Sequence, residues 1–461
     1  MKTDKGEKLK RAASFVVAVL IGMLVFLGVP SMVNAGYVSF ADDPEAWAAY
    51  SEEAILMVWI LICTALVFFM QAGFAMVEAG MSRTKNVVNV LMKNIVDIAA
   101  GSLAFFAIGG ALLMGTDMFG LIGTDGFFLS GGWDMDSELL MNWLFSLVFC
   151  ATAATIVSGA IAERTKFSVY IIFSVVISAL IYPIMAHWVW GGGWLAEMGA
   201  IDFAGSGVVH ATGAYVALAA CIVIGPRIGR FSADGKPNAM LGHNMSLATL
   251  GMFILWFGWF GFNCGSTLVY GAITDAALVG VNTMLSAATG AMVACLVTWV
   301  KFGKPDITMT LNGAIGGLVG ITAGAGLVYP WASVVIGAVA GLIVIYGYLF
   351  LESKGIDDVV GAIPVHGFSG SFGVLATGIF AQYGAEGLIT GSTDFMLAEL
   401  VLVVSNFIWA FGSGLLLFYA LDKVIGIRVS RAEEMKGLDE CEHGAIAYPE
   451  AVTMNMMIRE E

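Results

Sequence analysis

The chain has 461 residues, of which 59% are hydrophobic and 12% are charged, and its formal net charge is −14. Soluble domains carry about a quarter charged residues, so this composition excludes an ordinary soluble protein and indicates a chain that lies mostly in lipid. The six Cys occur singly, five of them in apolar segments, which excludes a disulfide framework and a zinc site built on paired Cys.

The first 35 residues have the pattern of a secretory signal peptide. The basic stretch MKTDKGEKLKR precedes the apolar run FVVAVLIGMLVFLGV, and SMVNAG then offers small residues for cleavage after about Ala35. An uncleaved additional transmembrane helix is the alternative interpretation.

Eleven apolar segments follow this leader, and a spanning helix needs about 20 apolar residues. They lie at 54–80, 87–114, 138–162, 167–188, 206–226, 244–265, 272–300, 308–328, 331–352, 362–383 and 396–425. We therefore predict an all-α integral membrane protein of eleven transmembrane helices. The transmembrane domain is expected over residues 36–428, and a polar cytosolic tail over residues 429–461.

The positions of Lys and Arg predict the orientation. Of the 21 Lys and Arg, five lie in the leader. If the chain starts outside and crosses eleven times, each of the others falls at an inner helix end, in an inner loop or in the tail. The mature N-terminus is therefore predicted to be outside and the C-terminus inside, in the cytoplasmic membrane.

The fifth and tenth segments contain similar sequences. The fifth contains VVHATGAYVAL and the tenth contains PVHGFSGSFGVLA, so His, Gly and apolar positions recur in step. Five helices separate equivalent positions, which makes the two halves opposite in orientation. An inverted five-helix repeat is typical of transporters, with the substrate path at the repeat interface. Chance similarity between two Gly-rich helices is the alternative.

His210 and His366 each lie a few residues inside one of these two apolar segments. A single buried His is more often structural, but two at equivalent places in a repeat indicate an intramembrane functional site. Lys93 and Asp97, one helical turn apart, are interpreted as a helix-surface pair. A membrane enzyme with a metal held by the two His and Asp202 would need a third close ligand, which no His, Asp or Glu cluster in the sequence supplies.

Aromatic residues form the second candidate constellation. Phe145 and Phe149 are one helical turn apart, so they share a helix face. Trp259 and Phe262 lie in LWFGWFGFNCGS, and Trp190 lies at an outer helix end. Each taken alone is explained as interfacial or core material.

Several motifs resemble the ammonium transporter (Amt/Mep/Rh) family. They are MQAGFAMVEAG, SRTKNVVNVLMKN, SGAIAER, HWVWGGGW, IDFAGSGVVH, GWFGFNCGS, VHGFSGSFGVLATGIFA and GLDECEHGAIAYP, in family order. The resemblance implies two inverted halves of five helices with one closing helix, and a homotrimer with one pore in each subunit. It also implies a regulatory tail, which in bacterial and archaeal relatives lies where a trimeric PII signal protein blocks the pore.

The resemblance further implies a role for individual residues. The implied recruitment site is Trp190, Ser266, Phe149 and Asp202; the gate is Phe149 and Phe262; the pore pair is His210 and His366; the pathway aromatics are Tyr182, Phe145 and Trp259. Asp202 is interpreted first as the N-cap of the fifth helix and second as a charge that stabilises an approaching cation. No catalytic residue, metal, other cofactor or nucleic-acid partner is implied.

The expected function is ammonium uptake, with ammonium deprotonated at the recruitment site and ammonia conducted through a hydrophobic pore. Methylammonium is a plausible second substrate by its size. An ammonium sensor of the same fold with little transport is the alternative, although only about 33 residues follow the last segment to carry an output. The sequence departs from the family pattern at Gly361, where many members have Asp, in a loop that contacts the tail.

Overall fold

The protein is described by a computed structural model over residues 44–130, 137–269 and 275–449. The chain divides into two units, residues 1–54 and residues 55–461. Of the first unit, residues 44–54 are described, and they are helical. The predicted signal peptide lies outside the described residues.

Apolar helical segments make up most of the described chain. They are α1 (Pro44–Met81), α2 (Thr84–Met114), α3 (Ser137–Ala160), α4 (Phe167–Glu197), α5 (Ser206–Ile224), α6 (Met245–Val269), α7 (Ala276–Phe302), α8 (Ile307–Thr322), α9 (Pro330–Ser353), α10 (Ile363–Phe380) and α11 (Thr393–Ile425). Ten are long and apolar enough to cross a membrane, whereas α8, with 16 residues, is shorter.

Four of these segments contain a π-helical turn. Helix α2 begins with a 3₁₀ turn at Thr84–Asn86, and its π turn Phe105–Gly109 separates Val87–Ala104 from Gly110–Met114. In α4 the π turn Ile177–Ile181 separates Phe167–Val176 from Tyr182–Trp190, and Trp194–Glu197 follows a break at 191–193. In α5 the turn is Ser206–Ala211 before Thr212–Ile224, and in α10 it is Ile363–Phe368 before Ser369–Phe380. Since π turns concentrate at functional sites, it is notable that the last two contain His210 and His366.

The remaining elements are short. Strands β1 (Asp117–Met118) and β2 (Ile122–Gly123) pair antiparallel, with Asp117 opposite Gly123, and 3₁₀ turns occur at Phe127–Leu129 and Leu388–Thr390. Two helices follow α11, namely α12 (Arg431–Lys436) and α13 (Leu438–His443). The small hairpin is a departure from the all-α prediction.

The predicted segments and the observed helices differ mainly at three boundaries. The first helix begins at Pro44 rather than at residue 54, α4 continues past its break to Glu197 rather than ending at residue 188, and α8 ends at Thr322 rather than at residue 328. The eighth segment stops early because residues 323–329, AGAGLVY, are Gly-rich and precede the Pro330 that begins α9. The apolar composition continues across such a turn, whereas the helix ends there.

The helices have two ends, called the tail end and the hairpin end after the segments that contact them. At the tail end, residues 426–449 contact the beginnings of α2 and α4, where Leu438 N–H donates to Asn86 Oδ1 (3.0 Å) and the ring of His443 packs edge-on against Phe167. At the hairpin end, the β1–β2 hairpin contacts α4, where Trp194 N–H donates to Gly120 O (3.0 Å).

His187 is fully buried at the hairpin end. Its Nε2 lies 2.9 Å from Asp117 Oδ1 and its Nδ1 lies 2.8 Å from the carbonyl oxygen of Leu113. The hairpin therefore provides partners for this imidazole that lie about 70 residues away in the chain, which sequence reading could not supply.

Burial varies strongly among the helices. In α5, 83% of the most apolar window is buried, whereas in α11 the value is 22%. Helices α7, α8 and α9 approach one another closely at Gly290, Gly313 and Gly341, where an added Cβ would lie 2.3 to 2.6 Å from a glycine carbonyl or from Ala294 Cβ. Such contacts are typical of membrane helices, in which small residues allow close packing. Helix α5, which contains His210, is likewise closely packed against α3 at Gly213 and against α11 at Gly414.

Candidate functional site

The site begins at the hairpin end of α5, where Asp202 caps the helix. Its Oδ1 accepts the N–H groups of Gly205 (3.0 Å) and Ser206 (2.8 Å), and its Oδ2 accepts those of Gly207 and Val208 (both 2.8 Å). This satisfies the N–H groups that a helix leaves unpaired at its start. Burial raises the pKa of Asp202 to about 6, and the backbone hydrogen bonds oppose that rise.

The tail end of α10 has a matching cap that sequence analysis missed. Asp358 Oδ1 accepts the N–H groups of Gly361 and Ala362 (both 3.0 Å), and Oδ2 accepts that of Ile363 (2.7 Å). Burial likewise raises the pKa of Asp358 to about 6. Asp358 follows Asp202 by 156 positions, the same offset that separates His366 from His210, so the repeat itself could have predicted this residue.

Gly361, at first a departure from the family pattern, has a structural explanation. Its φ is +78°, and Gly205 at the equivalent place of the other repeat has a φ of +106°. A residue with a side chain adopts this region at a cost of about 1–2 kcal/mol, whereas glycine adopts it freely. The chain therefore needs glycine at both positions in order to turn back onto the capping Asp.

The two capped helices bring His210 and His366 together. Their Nδ1 atoms are 3.2 Å apart, so one imidazole donates its Nδ1–H to the other, and their ring centroids are 5.2 Å apart. His210 is fully buried, and its Nε2 has no hydrogen-bond partner among the described residues. A polar atom buried in this way is expected to face a permeant molecule or water rather than lipid.

A continuous series of ring contacts leads from Trp190 to the two imidazoles. Phe149 lies edge-on to Trp190 with centroids 6.0 Å apart, and it lies 4.0 Å from Phe262. Phe262 stacks on His210 at 5.3 Å. Trp190 is half-buried, whereas both Phe rings are buried. The aromatic residues therefore connect the hairpin end with the paired imidazoles, and the two Phe rings leave no open passage between them.

The other predicted residues lie around this series. Trp259 stacks on His210 at 4.9 Å and donates its Nε1–H to Thr322 Oγ1 (2.8 Å), and Phe145 lies 4.6 Å from Phe149. Ser266, one turn beyond Phe262, donates its hydroxyl to the Phe262 carbonyl (2.9 Å) and so keeps its oxygen lone pairs for another donor. Tyr182 is buried in α4, two turns before Trp190.

The hairpin-end cap and the aromatic series meet at Trp190. Its Nε1–H donates to the carbonyl oxygen of Asp202 (2.9 Å), which fixes the indole over the beginning of α5. Glu399 accepts the neighbouring N–H of Ile201 (2.7 Å) and is buried beside the same loop. The hairpin end therefore combines an aromatic face, a hydroxyl oxygen and buried carboxylates, which are groups that favour a small cation.

Below the imidazoles, towards the tail end, lies a small cavity of about 30 Å³. Its polar lining consists of His366, Glu78, Thr155 and Asn312, and the remainder is mainly apolar. Phe74, also in the lining, has its ring 6.2 Å from that of His366. Nothing in the sequence distinguishes Phe74 from other apolar residues, whereas Glu78 is an acidic residue inside an apolar segment.

Lys93 and Asp97 are not the helix-surface pair that their spacing indicated. Both are fully buried, and Asp97 accepts hydrogen bonds from Gln71 Nε2 (3.1 Å) and Tyr170 O–H (2.8 Å). The prediction was wrong because α1 and α4 cover this face of α2, and contacts between helices cannot be read from spacing along one helix.

Within the described residues, no three His, Cys, Asp or Glu are grouped so that they could hold a metal ion.

Comparison with known proteins gives a consistent result. The chain is 54% identical over 456 residues to Ammonium transporter Amt2 of Archaeoglobus fulgidus, with 95% of each chain covered, and 45% identical over 404 residues to a putative ammonium transporter of Synechocystis sp., with 85% and 88% covered. Among solved structures, a Sensor Amt Protein matches with a TM-score of 0.81 and 39% identity over 85% of this chain and 98% of the other.

The structure of Candida albicans Mep2 also matches, with a TM-score of 0.75 and 29% identity over 82% of this chain and 87% of the other. The model of the Ammonium Transporter Family matches residues 58–448, a range that includes both imidazoles, the aromatic series and the tail helices. The chain belongs to the ammonium transporter family.

Proposed function

We propose that this protein takes up ammonium across the cytoplasmic membrane by deprotonating it and passing ammonia through the pore. The observation that supports this best is the unbroken series of contacts from half-buried Trp190 through Phe149 and Phe262 to the paired imidazoles. It connects a cation-attracting end with a mainly apolar interior that contains polar partners for a neutral molecule.

The recruitment site is formed by Trp190, Ser266, Phe149 and Asp202. An aromatic face attracts a cation by about 0.5–2 kcal/mol, and the Ser266 oxygen accepts one of the four N–H donors of ammonium. Asp202, capping α5 immediately beside the indole, adds negative charge. Methylammonium retains three N–H donors, so it is a second candidate substrate.

The gate and pore exclude ions. Phe149 and Phe262 close the path with rings 4.0 Å apart, and a bare cation entering an apolar interior loses several kcal/mol or more of hydration free energy. Potassium has no proton to release, whereas ammonium becomes neutral ammonia. The buried Nε2 of His210 and the shared Nδ1 atoms then provide hydrogen-bonding partners for ammonia.

The topology proposed from the sequence fits this function. We propose eleven spanning helices including α8, related by an inverted five-helix repeat, with the hairpin end outside and the tail end in the cytosol. The 156-residue offset of Asp202, Gly205 and His210 from Asp358, Gly361 and His366 supports the repeat, and the distribution of Lys and Arg supports the orientation. Cleavage of the leader after about Ala35 remains part of this proposal.

The proposed assembly is a homotrimer with one pore in each subunit, with PII as a candidate cytosolic partner of the tail. The tail is held against its own subunit, since Asp439 Oδ1 accepts Asn89 N–H (2.8 Å) and Arg428 pairs with Glu434 (2.8 Å). The support for the trimer and for PII is the family resemblance.

A second candidate function is ammonium sensing with little transport. It is favoured by the match to the Sensor Amt Protein, whose sequence identity of 39% exceeds that of the matched Mep2 structure. A sensor would keep the recruitment site and the gate, so transport itself must be measured to distinguish the two functions.

The test is current from proteoliposomes on a supported membrane after a jump in ammonium or potassium, with a pH dye inside matched vesicles. The proposal expects a transient current with ammonium and none with potassium, and a loss of at least about tenfold in His210→Ala or His366→Ala. A parent chain that gives neither current nor a pH change would favour the sensor, and a potassium current would contradict the selectivity mechanism.

The matched control is His243→Ala. His243 lies at the tail end, where its ring nitrogens contact the Ser82 carbonyl (2.9 Å) and the Tyr448 hydroxyl (2.9 Å), outside the aromatic series. Its ammonium current is expected to equal that of the parent within twofold. A comparable loss in all three variants would assign the effect to folding rather than to the pore.

A further inference from the structure

The cavity beneath the imidazoles connects His366 with Glu78, an ionisable side chain outside the imidazole pair. It has a volume of about 30 Å³, and a site needs about 10–15 Å³ to hold one water molecule. His366 and Glu78 both line it, and Thr155 and Asn312 provide further polar lining. Two water molecules therefore fit between an imidazole and a carboxylate.

Glu78 is an unusual residue for this place. It lies in α1, near the end of the apolar span Tyr50–Met81, and only 2% of it is exposed. Its Oε2 accepts the hydroxyl of Ser158 (2.7 Å), whereas its Oε1 has no hydrogen-bond partner among the described residues. A buried carboxylate oxygen without a partner is costly, which indicates that it faces water or a ligand in the cavity.

A buried polar stripe on α2 leads from Glu78 towards the tail end. Asn86, Asn89, Lys93 and Asp97 follow one another at helical spacing on one face, and all four are fully buried. Lys93 and Asp97 lie close enough to Glu78 to interact with it electrostatically. Lys93 Nζ is 5.4 Å from the centre of the Tyr170 ring and has no hydrogen-bond partner among the described residues.

The proposed function does not assign a residue to the transfer of the proton that ammonium releases. When ammonium loses its proton and ammonia crosses, the proton must either return outside or follow through the protein. The imidazole pair ends at the cavity, and the first proton acceptor beyond it in the lining is Glu78. The apolar remainder of the lining offers no alternative acceptor.

We propose that Glu78 accepts the proton that crosses with ammonia, through water in the cavity, and that Lys93 and Asp97 set the charge of this acceptor. The N–H bond of a protonated His366 breaks as water gains the proton, and that water loses one as the O–H bond of Glu78 forms, with no electron transfer. The step rests on the proposed function, since it requires ammonium to be deprotonated first.

The test uses the full chain in proteoliposomes and two measurements on each variant. The ammonium-jump current reports moved charge, and alkalinisation seen by a pH dye in the vesicle interior reports ammonia that enters without its proton. In Glu78→Gln we expect the current to fall at least about tenfold, while alkalinisation, which is small in the parent because a proton accompanies each ammonia, rises at least about twofold. Glu78→Asp keeps a carboxyl group and is expected to restore at least a third of the current.

Two further variants separate proton acceptance from folding. Ser158→Ala removes the hydroxyl that donates to Glu78 and is expected to lower the current about two- to fivefold. Thr64→Val is the matched control, because Thr64 is also buried and polar on α1 but lies 14 residues, or about 21 Å, from Glu78. It is expected to retain both measurements within twofold.

Each outcome decides the matter. If Glu78→Gln keeps its current, or if Glu78→Gln and Glu78→Asp both lose the current without a gain in alkalinisation while the variants remain folded, Glu78 is not the proton acceptor. If the parent alkalinises vesicles without current, ammonia conduction stands but the proton route is wrong. If the parent shows neither signal, the proposed function itself fails, and the proton route fails with it.

Discussion

The two helix beginnings that hold the imidazoles have the same construction but opposite electrical surroundings. Each has an Asp cap, a glycine with positive φ three residues later and a His after five more, at 202, 205 and 210 and at 358, 361 and 366. Asp202 accepts four backbone N–H groups, whereas Asp358 accepts three. The residue equivalent to Val208 is Pro364, which has no N–H to donate.

The surroundings differ far more than the caps. Next to Asp358, Asp357 accepts three hydrogen bonds from Arg227, two from its guanidinium (2.8 and 2.9 Å) and one from its backbone N–H (2.9 Å), and its Oδ1 lies 3.4 Å from Arg230 Nε. The described connections at the hairpin end, residues 115–130, 191–205, 323–329 and 381–392, contain no Lys or Arg. Two helix beginnings of the same construction therefore lie among connections without Lys or Arg at the hairpin end and beside arginine-paired carboxylates at the tail end.

The largest expected effect comes from removing the charge of one cap at a time. Asp202→Asn places an amide N–H group against backbone donors and removes the negative charge from the recruitment site. Hydrogen bonds to charged groups are worth about 1.5–3 kcal/mol each, so we expect the ammonium current to fall at least about tenfold. Current per folded protein in proteoliposomes is the measurement.

Asp358→Asn is the control for this comparison. It disturbs an equivalent helix start, so its melting temperature should fall about as much as that of Asp202→Asn. Its current per folded protein should fall less than threefold, since no recruitment charge is lost. Equal losses of current in the two variants would show that the electrical difference between the ends does not matter.

A smaller effect is expected from the glycines with positive φ. Alanine at either position costs about 1–2 kcal/mol for its backbone conformation. An added Cβ at Gly205 would also lie 2.5 Å from Val209 and 3.0 Å from Trp190, whereas at Gly361 it would meet the end of the Asn312 side chain at 2.7 Å. Gly205→Ala should therefore lower the current and the melting temperature more than Gly361→Ala.

Asparagine provides the check on this interpretation. Asn adopts positive φ more readily than Ala, so Gly361→Asn should be more stable than Gly361→Ala in a thermal unfolding assay. If Ala were the better tolerated of the two, backbone conformation would not be the reason for glycine at residue 361.

The sequence was sufficient for features that repeat locally or at a fixed offset. Hydropathy located ten described helices that are long and apolar enough to cross a membrane. The VH pairs identified His210 and His366, whose Nδ1 atoms lie 3.2 Å apart in the structure. The same offset would have identified Asp358 and explained Gly361. Treating Gly361 as a family departure alone missed that the repeat of this chain already has glycine at residue 205.

Features that depend on contacts between distant helices were out of reach. Lys93 and Asp97 have the spacing of a surface pair, yet Tyr170 and Gln71, from two other helices, enclose them. In the sequence, Glu78 is an ordinary acidic residue near a helix end, and only the structure shows the cavity that it shares with His366. Periodicity shows which residues share a helix face, but which other helix packs against that face depends on the tertiary structure.

A third effect, of moderate size, would convert one cap into the other. Val208→Pro removes the fourth N–H that Asp202 accepts and gives α5 the pattern that α10 has at Pro364. Proline is tolerated in the first turn of a helix, so the chain should fold with the loss of about one charge-assisted hydrogen bond. We expect a two- to fivefold lower current at an unchanged ratio of ammonium to potassium response. A loss of selectivity would mean that this hydrogen bond also positions the gate.

The smallest effect is a difference in pH dependence between the adjacent residues Asp357 and Asp358. Burial raises the pKa of Asp358 to about 6, so the folded protein binds more protons than the unfolded chain between about pH 4 and 6, and stability rises as the pH falls through that window. Burial would also raise the pKa of Asp357, but the hydrogen bonds and charge of Arg227 and Arg164 outweigh it and lower that pKa. Its stabilisation is therefore present above about pH 4 and is lost as the pH falls further.

In detergent, the melting temperature of the parent should pass through a maximum near pH 4–5. Asp358→Asn should flatten the rise on the neutral side and Asp357→Asn should flatten the fall on the acid side, each by about 2 °C. Identical pH profiles for the two variants would contradict the assignment of compensated charge to Asp357 and of buried, uncompensated charge to Asp358.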